Sequence, residues 1–267
     1  KIVAKPYKGP MYLYEAKGAN YCVTPDHDMY YHGRNGRAQD TAWRKAPMSQ
    51  LAPGDNKYML KAINWAAPDV ETYTIPEFQG LRKHFPAITV PMDDWLEFLG
   101  WYCSEGSLNK LDGRPTGISI AQKSYETRAR IQKLGIRLGF NARLYDQAVR
   151  INSLQLGAHL AELGPDCLNK GIPAYARNVG VRQLNIFLDS FTEGDGYQKG
   201  KGEILYTSSP LMADDLQEMI LKTGVPSVVH KRALAGRESD FGTHIATSSV
   251  DGFVVTRPYK PSKIKHY

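Results

Sequence analysis

The sequence of 267 residues predicts an α+β fold in which two similar units form a pseudo-twofold pair. Two apolar stretches, at residues 95–108 and 184–197, each have the pattern of a helix with the same ending. The strands and the helix predicted after each stretch come in the same order, separated by turn signals. A further segment, residues 1–85, has short strand-like runs and turns without a helical period, so we expect it to be mostly β.

Each apolar stretch ends in a carboxylate followed by a glycine, Glu105-Gly106 in the first and Asp195-Gly196 in the second. The first helix is expected to begin at Asp94 as N-cap, with Glu97 three residues later. Glycine is the usual residue after the last helical turn. A carboxylate in that turn faces the negative end of the helix dipole, which disfavours it. Because the same unfavourable placement occurs twice, the pattern indicates a positively charged partner such as a metal ion.

Small residues on both predicted helices favour close packing between them. Gly100 and Ser104 are four residues apart and therefore lie on one helix face, as do Ser190 and Gly194. Two such faces let helix backbones approach closely, and this packing would place the two terminal carboxylates side by side. Paired carboxylates that hold divalent metal ions can drive phosphodiester hydrolysis by binding the attacking and leaving oxygens.

Two nine-residue segments carry a resemblance to a known family. FLGWYCSEG at residues 98–106 and LDSFTEGDG at residues 188–196 resemble the two signatures of LAGLIDADG (dodecapeptide) homing endonucleases, with Ser190 where glycine is usual. The resemblance implies a site-specific endonuclease built from two αββαββα units, whose saddle of antiparallel sheets binds a long double-stranded DNA target and whose active sites cut both strands. It also implies that Glu105 and Asp195 are catalytic and hold Mg²⁺, with two or more divalent ions bound.

An internal repeat supports two units within one chain. Ser124 begins a predicted helix that ends at Gly139, and Ser209, followed by a proline, begins another that ends at Gly224. The two starts and the two ends are each 85 residues apart, which indicates one design used twice. The expected domains are residues 1–85, residues 86–240 (with repeats at about 91–165 and 180–240) and residues 241–267.

Basic residues fit a polyanionic partner, since the net charge is +7 and the isoelectric point about 9.1. On predicted strands such residues can contact phosphates, although each could equally belong to a solvated strand face. The candidates for DNA contact are Arg114, Arg143, Tyr145, Arg150, Lys199, Lys201, Arg232 and Arg237. In the family that the chain resembles, a basic residue near each active site polarises water or neutralises charge, which implies Lys123 and Lys231 here. For Lys231 an ordinary surface lysine is an equal alternative.

The N-terminal segment carries a second, shorter resemblance. Residues 23–30 are similar to the Thr-x-x-His block of intein splicing (Hint) domains, which implies a splicing remnant at Thr24 and His27; a turn with a surface histidine is the alternative. The chain begins with lysine and ends in Lys-His-Tyr, so we expect an intein fragment that does not itself splice. Predicted strands at residues 243–248 and 253–255 would belong to a C-terminal return to the Hint-like segment or to a basic tail.

The apolar runs and the cysteines of the sequence indicate where the protein is located. No run of eighteen apolar residues is present, so we expect no membrane span, and three widely spaced cysteines suit free thiols in a reducing compartment. We expect a cytoplasmic monomer with an internal pseudo-twofold, in a prokaryotic or phage-infected cell.

Two functions other than DNA cleavage stay open. One is a non-cleaving DNA- or RNA-binding relative of the maturase or regulator kind, and the other is a protein-splicing element in an intact parent.

Overall fold

The computed structural model describes residues 6–16, 19–35, 38–39, 42–51, 57–59, 63–199, 202–233 and 251–258. The chain forms two compact units, Lys1–Lys61 and Ala62–Tyr267. The division falls at residue 61, and not near residue 85 as the sequence suggested, because residues 63–91 pack within the second unit. Trp65 Nε1, for example, donates a hydrogen bond of 2.8 Å to Val179 O.

The described part of the first unit consists of short antiparallel strands, as its sequence predicts. Its strands are β1 (Tyr12–Ala16), β2 (Ala19–Val23), β3 (Asp28–Asn35), β4 (Ala38–Gln39), β5 (Arg44–Pro47) and β6 (Lys57–Met59). Strand β1 pairs with β2, and β3 pairs with β4, β5 and β6. A single 3-10 turn, Met48–Gln50, follows β5.

The second unit opens with two small strand pairs that lead into the first long helix. The strands are β7 (Thr72–Ile75), β8 (Phe78–Gln79), β9 (His84–Phe85) and β10 (Ile88–Pro91), and the helix is α1 (Met92–Glu105). Strand β10 pairs with β7 and continues directly into α1 at Met92. The helix therefore begins two residues before the expected N-cap, and Asp94 instead accepts hydrogen bonds of 3.1 and 2.9 Å from Arg137.

Helix α1 is followed by a four-stranded antiparallel sheet and two further helices. The elements are β11 (Gly106–Leu111), β12 (Arg114–Ala121), α2 (Tyr125–Arg137), β13 (Ala142–Tyr145), β14 (Ala148–Ile151) and α3 (Leu154–Ala161). The strand order in the sheet is β11-β12-β14-β13. This is the helix-strand-strand-helix-strand-strand-helix order expected for one unit.

Among the described residues, the second half repeats the first six elements of this order after one short helix. Its elements are α4 (Ala174–Arg177), α5 (Val181–Asp195), β15 (Gly196–Lys199), β16 (Gly202–Thr207), α6 (Pro210–Lys222), β17 (Val228–Ala233) and β18 (Asp251–Pro258). Their sheet has the order β15-β16-β18-β17, which matches the first sheet strand for strand. The fold is thus a duplicated α+β unit with two four-stranded antiparallel sheets.

Strand β18 extends the second repeat beyond the boundary that the sequence suggested at residue 240. Six of its residues, 253–258, pair with β16, and six, 251–256, pair with β17. Val255 lies opposite Leu205 in this register and both side chains are fully buried, so an apolar interior strand completes the sheet. The strand predicted at residues 243–248 lies outside the described residues.

The helices that follow each hairpin begin and end as the repeat predicts. Ser124 Oγ accepts a hydrogen bond from Thr127 N at the start of α2, and Ser209 Oγ accepts one from Met212 N at the start of α6. Gly139 and Gly224 follow the two helices with φ of 86° and 81°, in the left-handed region that stops a helix. Both pairs keep the 85-residue spacing.

The core of the second unit lies around the contact between α1 and α5. Large aromatic side chains from both helices are fully buried there: Trp95, Phe98 and Trp101 from α1, Phe187 and Phe191 from α5. Helix α1 is apolar on almost every face, which suits a helix that packs against α5, against α2 and against its own sheet. In the described residues, no helix combines the length and the apolar character that crossing a bilayer would require.

Candidate active site

Helices α1 and α5 approach each other so closely that glycine is required at two positions. A Cβ atom on Gly100 would lie 1.9 Å from Ser190 Oγ and 2.6 Å from Phe187 O. A Cβ atom on Gly194 would lie 2.2 Å from Ser104 Oγ. The structure therefore brings together all four small residues singled out in the sequence, in two reciprocal glycine–serine contacts.

The two serines act in this interface as small residues whose hydroxyls bond within their own helices. Ser104 Oγ donates to Gly100 O at 3.0 Å, and Ser190 Oγ donates to Phe187 O at 2.9 Å. Neither hydroxyl needs a partner on the other helix, so serine at position 190 satisfies its own hydrogen bond in the buried contact.

Glu105 and Asp195 are the last residues of α1 and α5 and lie at the same end of their contact. A Cβ atom on Gly194 would lie 3.3 Å from Glu105 Cγ, so the end of α5 reaches the first carboxylate. Both side chains are half-buried. Each is followed by a glycine that begins the first strand of its own sheet, Gly106 in β11 and Gly196 in β15. The two acids therefore occupy equivalent places in the two repeats.

The pKa values of both carboxyls are raised. Burial, together with the negative charge of Glu105, raises the pKa of Asp195 to about 7, against the opposing charge of Lys170. Burial also raises the pKa of Glu105, against the opposing charges of Lys170 and Lys123. Two adjacent half-buried acids resist being ionised together, so the site favours a bound positive charge.

Lys170 supplies part of that positive charge, and sequence reasoning did not identify it. Its side chain is 5% exposed, and Nζ donates to Tyr102 O at 3.0 Å and to Gly106 O at 2.7 Å. These two carbonyls lie on either side of Glu105 at the negative end of α1, where a cation is favoured. Burial lowers the pKa of Lys170, and the charges of the two acids oppose this decrease.

The backbone around Lys170 is fixed from both repeats. Lys170 O accepts a hydrogen bond of 2.7 Å from Ser209 Oγ, the cap of α6, and Gly171 N donates to Leu163 O at 2.8 Å. In the sequence this lysine lies in the segment Lys170-Gly-Ile-Pro-Ala174. A lysine within a short, otherwise apolar segment was the one available signal, and only the tertiary structure shows that it reaches the acids.

Lys123 lies near Glu105, and the equivalent position in the second half holds a different residue. Gly106 pairs with Ile120 in the β11–β12 register, so Lys123, just beyond β12, lies at the Glu105 end of the sheet. Its charge opposes the rise in the pKa of Glu105. Lys231 occupies strand β17 opposite Phe253, and its side chain is outside the described part of the structure. The residue 85 positions after Lys123 is Ser208.

The first sheet carries several of the predicted DNA-contacting residues on one exposed face. Arg143 and Arg150 lie directly opposite each other, and the Arg150 guanidinium lies 4.5 Å from the centre of the Tyr145 ring. Arg114 is exposed at the start of β12. The alternating residues Val149 and Ile151 are buried, as a strand with one solvated face requires. The face combines cations with an aromatic ring, a composition suited to nucleic acid.

In the second sheet the structure places only part of the predicted set. Lys199 ends β15 opposite Gly202, and Arg232 lies in β17 opposite Gly252. Lys201 and Arg237 lie outside the described residues. The two sheets have the same strand order, so β15 and β17 correspond to β11 and β13.

Thr24 and His27 lie in the turn that joins β2 to β3 in the first unit. His27 N donates to Thr24 O at 3.0 Å, and Met48 N donates to His27 O at 2.9 Å. A hydrogen bond with the Thr24 side chain lowers the pKa of Asp26. The His27 side chain is exposed. The turn is thus bonded both within itself and to the backbone of residues 48 and 49.

The donor set at the acid pair fits a hard divalent cation. Among the residues that the structure describes, no three or more His, Cys, Asp or Glu side chains come together, so the protein's charged ligands would be the two carboxylates alone. Mg²⁺ is commonly held in this way, by one or two carboxylates together with water and substrate phosphate oxygens. Glu105 and Asp195 therefore fit a metal that becomes fully coordinated only with the substrate present.

Comparisons with known proteins give distant relatives. No family model matches the chain. It is 25% identical over 250 residues to an ATP-dependent Clp protease proteolytic subunit of Chlamydomonas moewusii, covering 87% of this chain and 24% of that protein. It is 23% identical over 264 residues to a DNA-directed RNA polymerase subunit beta C-terminal section of Stigeoclonium helveticum, covering 82% of this chain and 24% of that protein. The chain spans about a quarter of the length of these curated relatives.

Similar solved structures include those of the homing endonuclease I-DmoI. A complex of I-DmoI with DNA and Mn gives a TM-score of 0.41 at 14% identity, covering 62% of this chain and 89% of the other. A complex with DNA and Ca gives a TM-score of 0.42 at 16% identity, covering 62% and 83%.

Proposed function

We propose that the chain is a site-specific homing endonuclease of the LAGLIDADG kind, which makes metal-dependent cuts in both strands of a long DNA target. The observation that carries this proposal is the acid pair Glu105 and Asp195. The two carboxylates end two closely packed helices, occupy equivalent places in a duplicated unit, and lie in the field of one buried lysine.

In this site the two acids would bind the metal, and two lysines would balance their charge. Glu105 and Asp195 would hold Mg²⁺, with Glu105 serving mainly one strand and Asp195 the other. A bound divalent ion supplies Lewis acidity toward a phosphoryl oxygen and lowers the pKa of water. Lys170 favours ionisation of both acids, since its charge opposes the rise in their pKa values. Lys123 adds a second cation beside Glu105, where it can stabilise negative charge on a phosphate.

The sheets would bind the DNA. Arg143, Arg150 and Tyr145 form an exposed face of the first sheet, and Arg114 lies at its hairpin. Phosphate contacts of this kind provide affinity and a strong salt dependence, whereas contacts to base edges provide sequence preference. The corresponding residues of the second sheet would be Lys199, Lys201, Arg232 and Arg237. One chain would bind both half-sites as a monomer, since both repeats lie within it.

An origin as an inserted element is supported by the two curated relatives. The chain is similar over most of its length to about a quarter of each, and their names describe different activities. A segment shared by proteins of unrelated function is what a mobile insertion produces. We therefore propose descent from an intein, in which the β-rich first unit with Thr24 and His27 would be a remnant of a splicing domain.

The competing function is a DNA- or RNA-binding protein on the same fold that does not cut. Loss of either acid would favour it, and both acids are present. A randomised DNA library, incubated with the chain in Mg²⁺ or in EDTA and sequenced at newly formed ends, distinguishes the two. We expect cuts at one recurring long sequence in Mg²⁺ alone. Tight binding of selected sequences without new ends would favour the non-cleaving protein.

A further inference from the structure

Arg128 on helix α2 makes an unusual pair of contacts. Its side chain is 9% exposed, and Nη1 donates to two successive backbone carbonyls, Gln122 O and Lys123 O, each at 2.7 Å. Its Nε is buried and makes no hydrogen bond with any described residue. A buried arginine normally pairs with a carboxylate, whereas the hydrogen bonds of this guanidinium go to the backbone of residues 122 and 123.

The two carbonyls belong to the loop that carries Lys123 to the acid pair. Gly106, the residue after Glu105, pairs with Ile120, and the loop leaves the sheet one residue after β12 ends. Gln122 N donates to Gln147 O at 2.9 Å on the other side of the loop. The backbone at position 122 is thus fixed through both its N–H and its C=O, and Arg128 supplies the only side-chain contact to the Lys123 carbonyl among the hydrogen bonds of the described residues.

The second repeat lacks this arrangement. The helices α2 and α6 are 85 residues apart at both ends, so the residue corresponding to Arg128 is Ala213 and the residue corresponding to Lys123 is Ser208. Ala213 is 1% exposed and packs in the core. A guanidinium that holds a lysine-bearing loop therefore exists at the Glu105 half of the site and is replaced by small residues at the Asp195 half.

We propose that Arg128 is a positioning residue that holds Lys123 beside Glu105, and that the two strand cuts consequently depend on it unequally. The inference rests on the proposed endonuclease function. The guanidinium has rigid, permanently charged donors, which suits it to fixing two carbonyls in one orientation. Losing them lets the loop shift, and misplacement of a catalytic group by about 1 Å can reduce a rate roughly 100-fold.

The test is single-turnover cleavage of the target DNA with a different label on each strand. For Arg128→Met we expect one strand to be cut roughly 10- to 100-fold more slowly, and the other within about threefold of the unsubstituted rate. Arg128→Lys retains a charged donor and should recover part of the lost rate. Arg137→Met is the matched control on the same helix, since Arg137 bonds Asp94 and not the loop. It should leave both strand rates unchanged.

A second set of variants separates positioning from a general loss of structure. In the Lys123→Met background, Arg128→Met should add no further decrease, because Arg128 acts through Lys123; thermal unfolding of each variant reports its folded fraction. Equal slowing of both strands, or independent and multiplicative effects of the two substitutions, would overturn the inference while leaving the endonuclease function in place. Absence of metal-dependent cleavage by the unsubstituted chain would overturn the function and this inference with it.

Discussion

Replacing Asp195 with asparagine should stabilise the protein at alkaline pH, although it removes a proposed metal ligand. Burial, together with the charge of Glu105, raises the pKa of Asp195 from 3.8 to about 7 in the folded chain. Between these values the folded protein holds a proton that the unfolded chain has released. The free energy of unfolding therefore falls as the pH rises through this window. Asparagine never ionises, so the variant avoids the loss.

The size of the effect follows from the same values. A tenfold change in an ionisation constant is about 1.4 kcal/mol, so moving the pKa from 3.8 to about 7 opposes folding by at most about 4 kcal/mol at pH 8. Solvent screening of a half-buried group reduces this, and we expect about 1–2 kcal/mol. For a chain of this size that corresponds to an increase in melting temperature of about 2–8 °C.

Thermal unfolding followed by circular dichroism in EDTA measures this difference. The melting temperature of Asp195→Asn should exceed that of the unsubstituted chain at pH 8, and the excess should shrink as the pH is lowered to 5. Asp214→Asn, at an exposed position on α6, is the control and should show little change at either pH. A variant that is less stable at pH 8, or an excess that is the same at both pH values, would refute the reasoning.

Three further predictions follow from the geometry of the site. Mg²⁺ affinity measured by calorimetry should fall about tenfold for each pH unit below about 7, because the metal competes with the proton on Asp195; an affinity independent of pH would contradict this. Gly100→Ala places a Cβ atom 2.6 Å from Phe187 O, so the helices must move about 0.8 Å apart to reach ordinary contact at 3.4 Å. We expect a loss of about 1–3 kcal/mol in urea unfolding and slower cleavage, and unchanged values would show that the interface is looser than described. Lys170→Met removes the charge that lowers the pKa of both acids, so the active pH range measured from cleavage rates should move upward. An unchanged pH profile would exclude this role for the lysine.

The features that the sequence predicted correctly are those that depend on a few neighbouring residues. The serine caps and glycine ends of α2 and α6 are local, so their 85-residue spacing was readable before the fold was known. The strands β11 and β12 are likewise joined by a local feature, the Asp112-Gly113 turn. Small residues four apart on two helices indicated the close contact that Gly100 and Gly194 make.

The features that the sequence did not predict depend on distant parts of the chain. Lys170 belongs to the site because a loop between the repeats passes the end of α1, which no local pattern shows. Strand β18 completes a sheet whose previous strand ends at residue 233, so sequence distance hid the pairing. The Asp94 cap was displaced because strand pairing carries β10 directly into α1.

The central claim, that Glu105 and Asp195 form one metal-dependent cleavage site, is tested most directly by neutralising each acid in turn. Glu105→Gln and Asp195→Asn keep the shape of the side chain and remove its charge. Double-strand cleavage and binding of the target sequence would be measured for both variants in Mg²⁺. The account predicts that each variant binds the target nearly as well as the unsubstituted chain and makes no double-strand cut. Double-strand cleavage retained in both variants would contradict it.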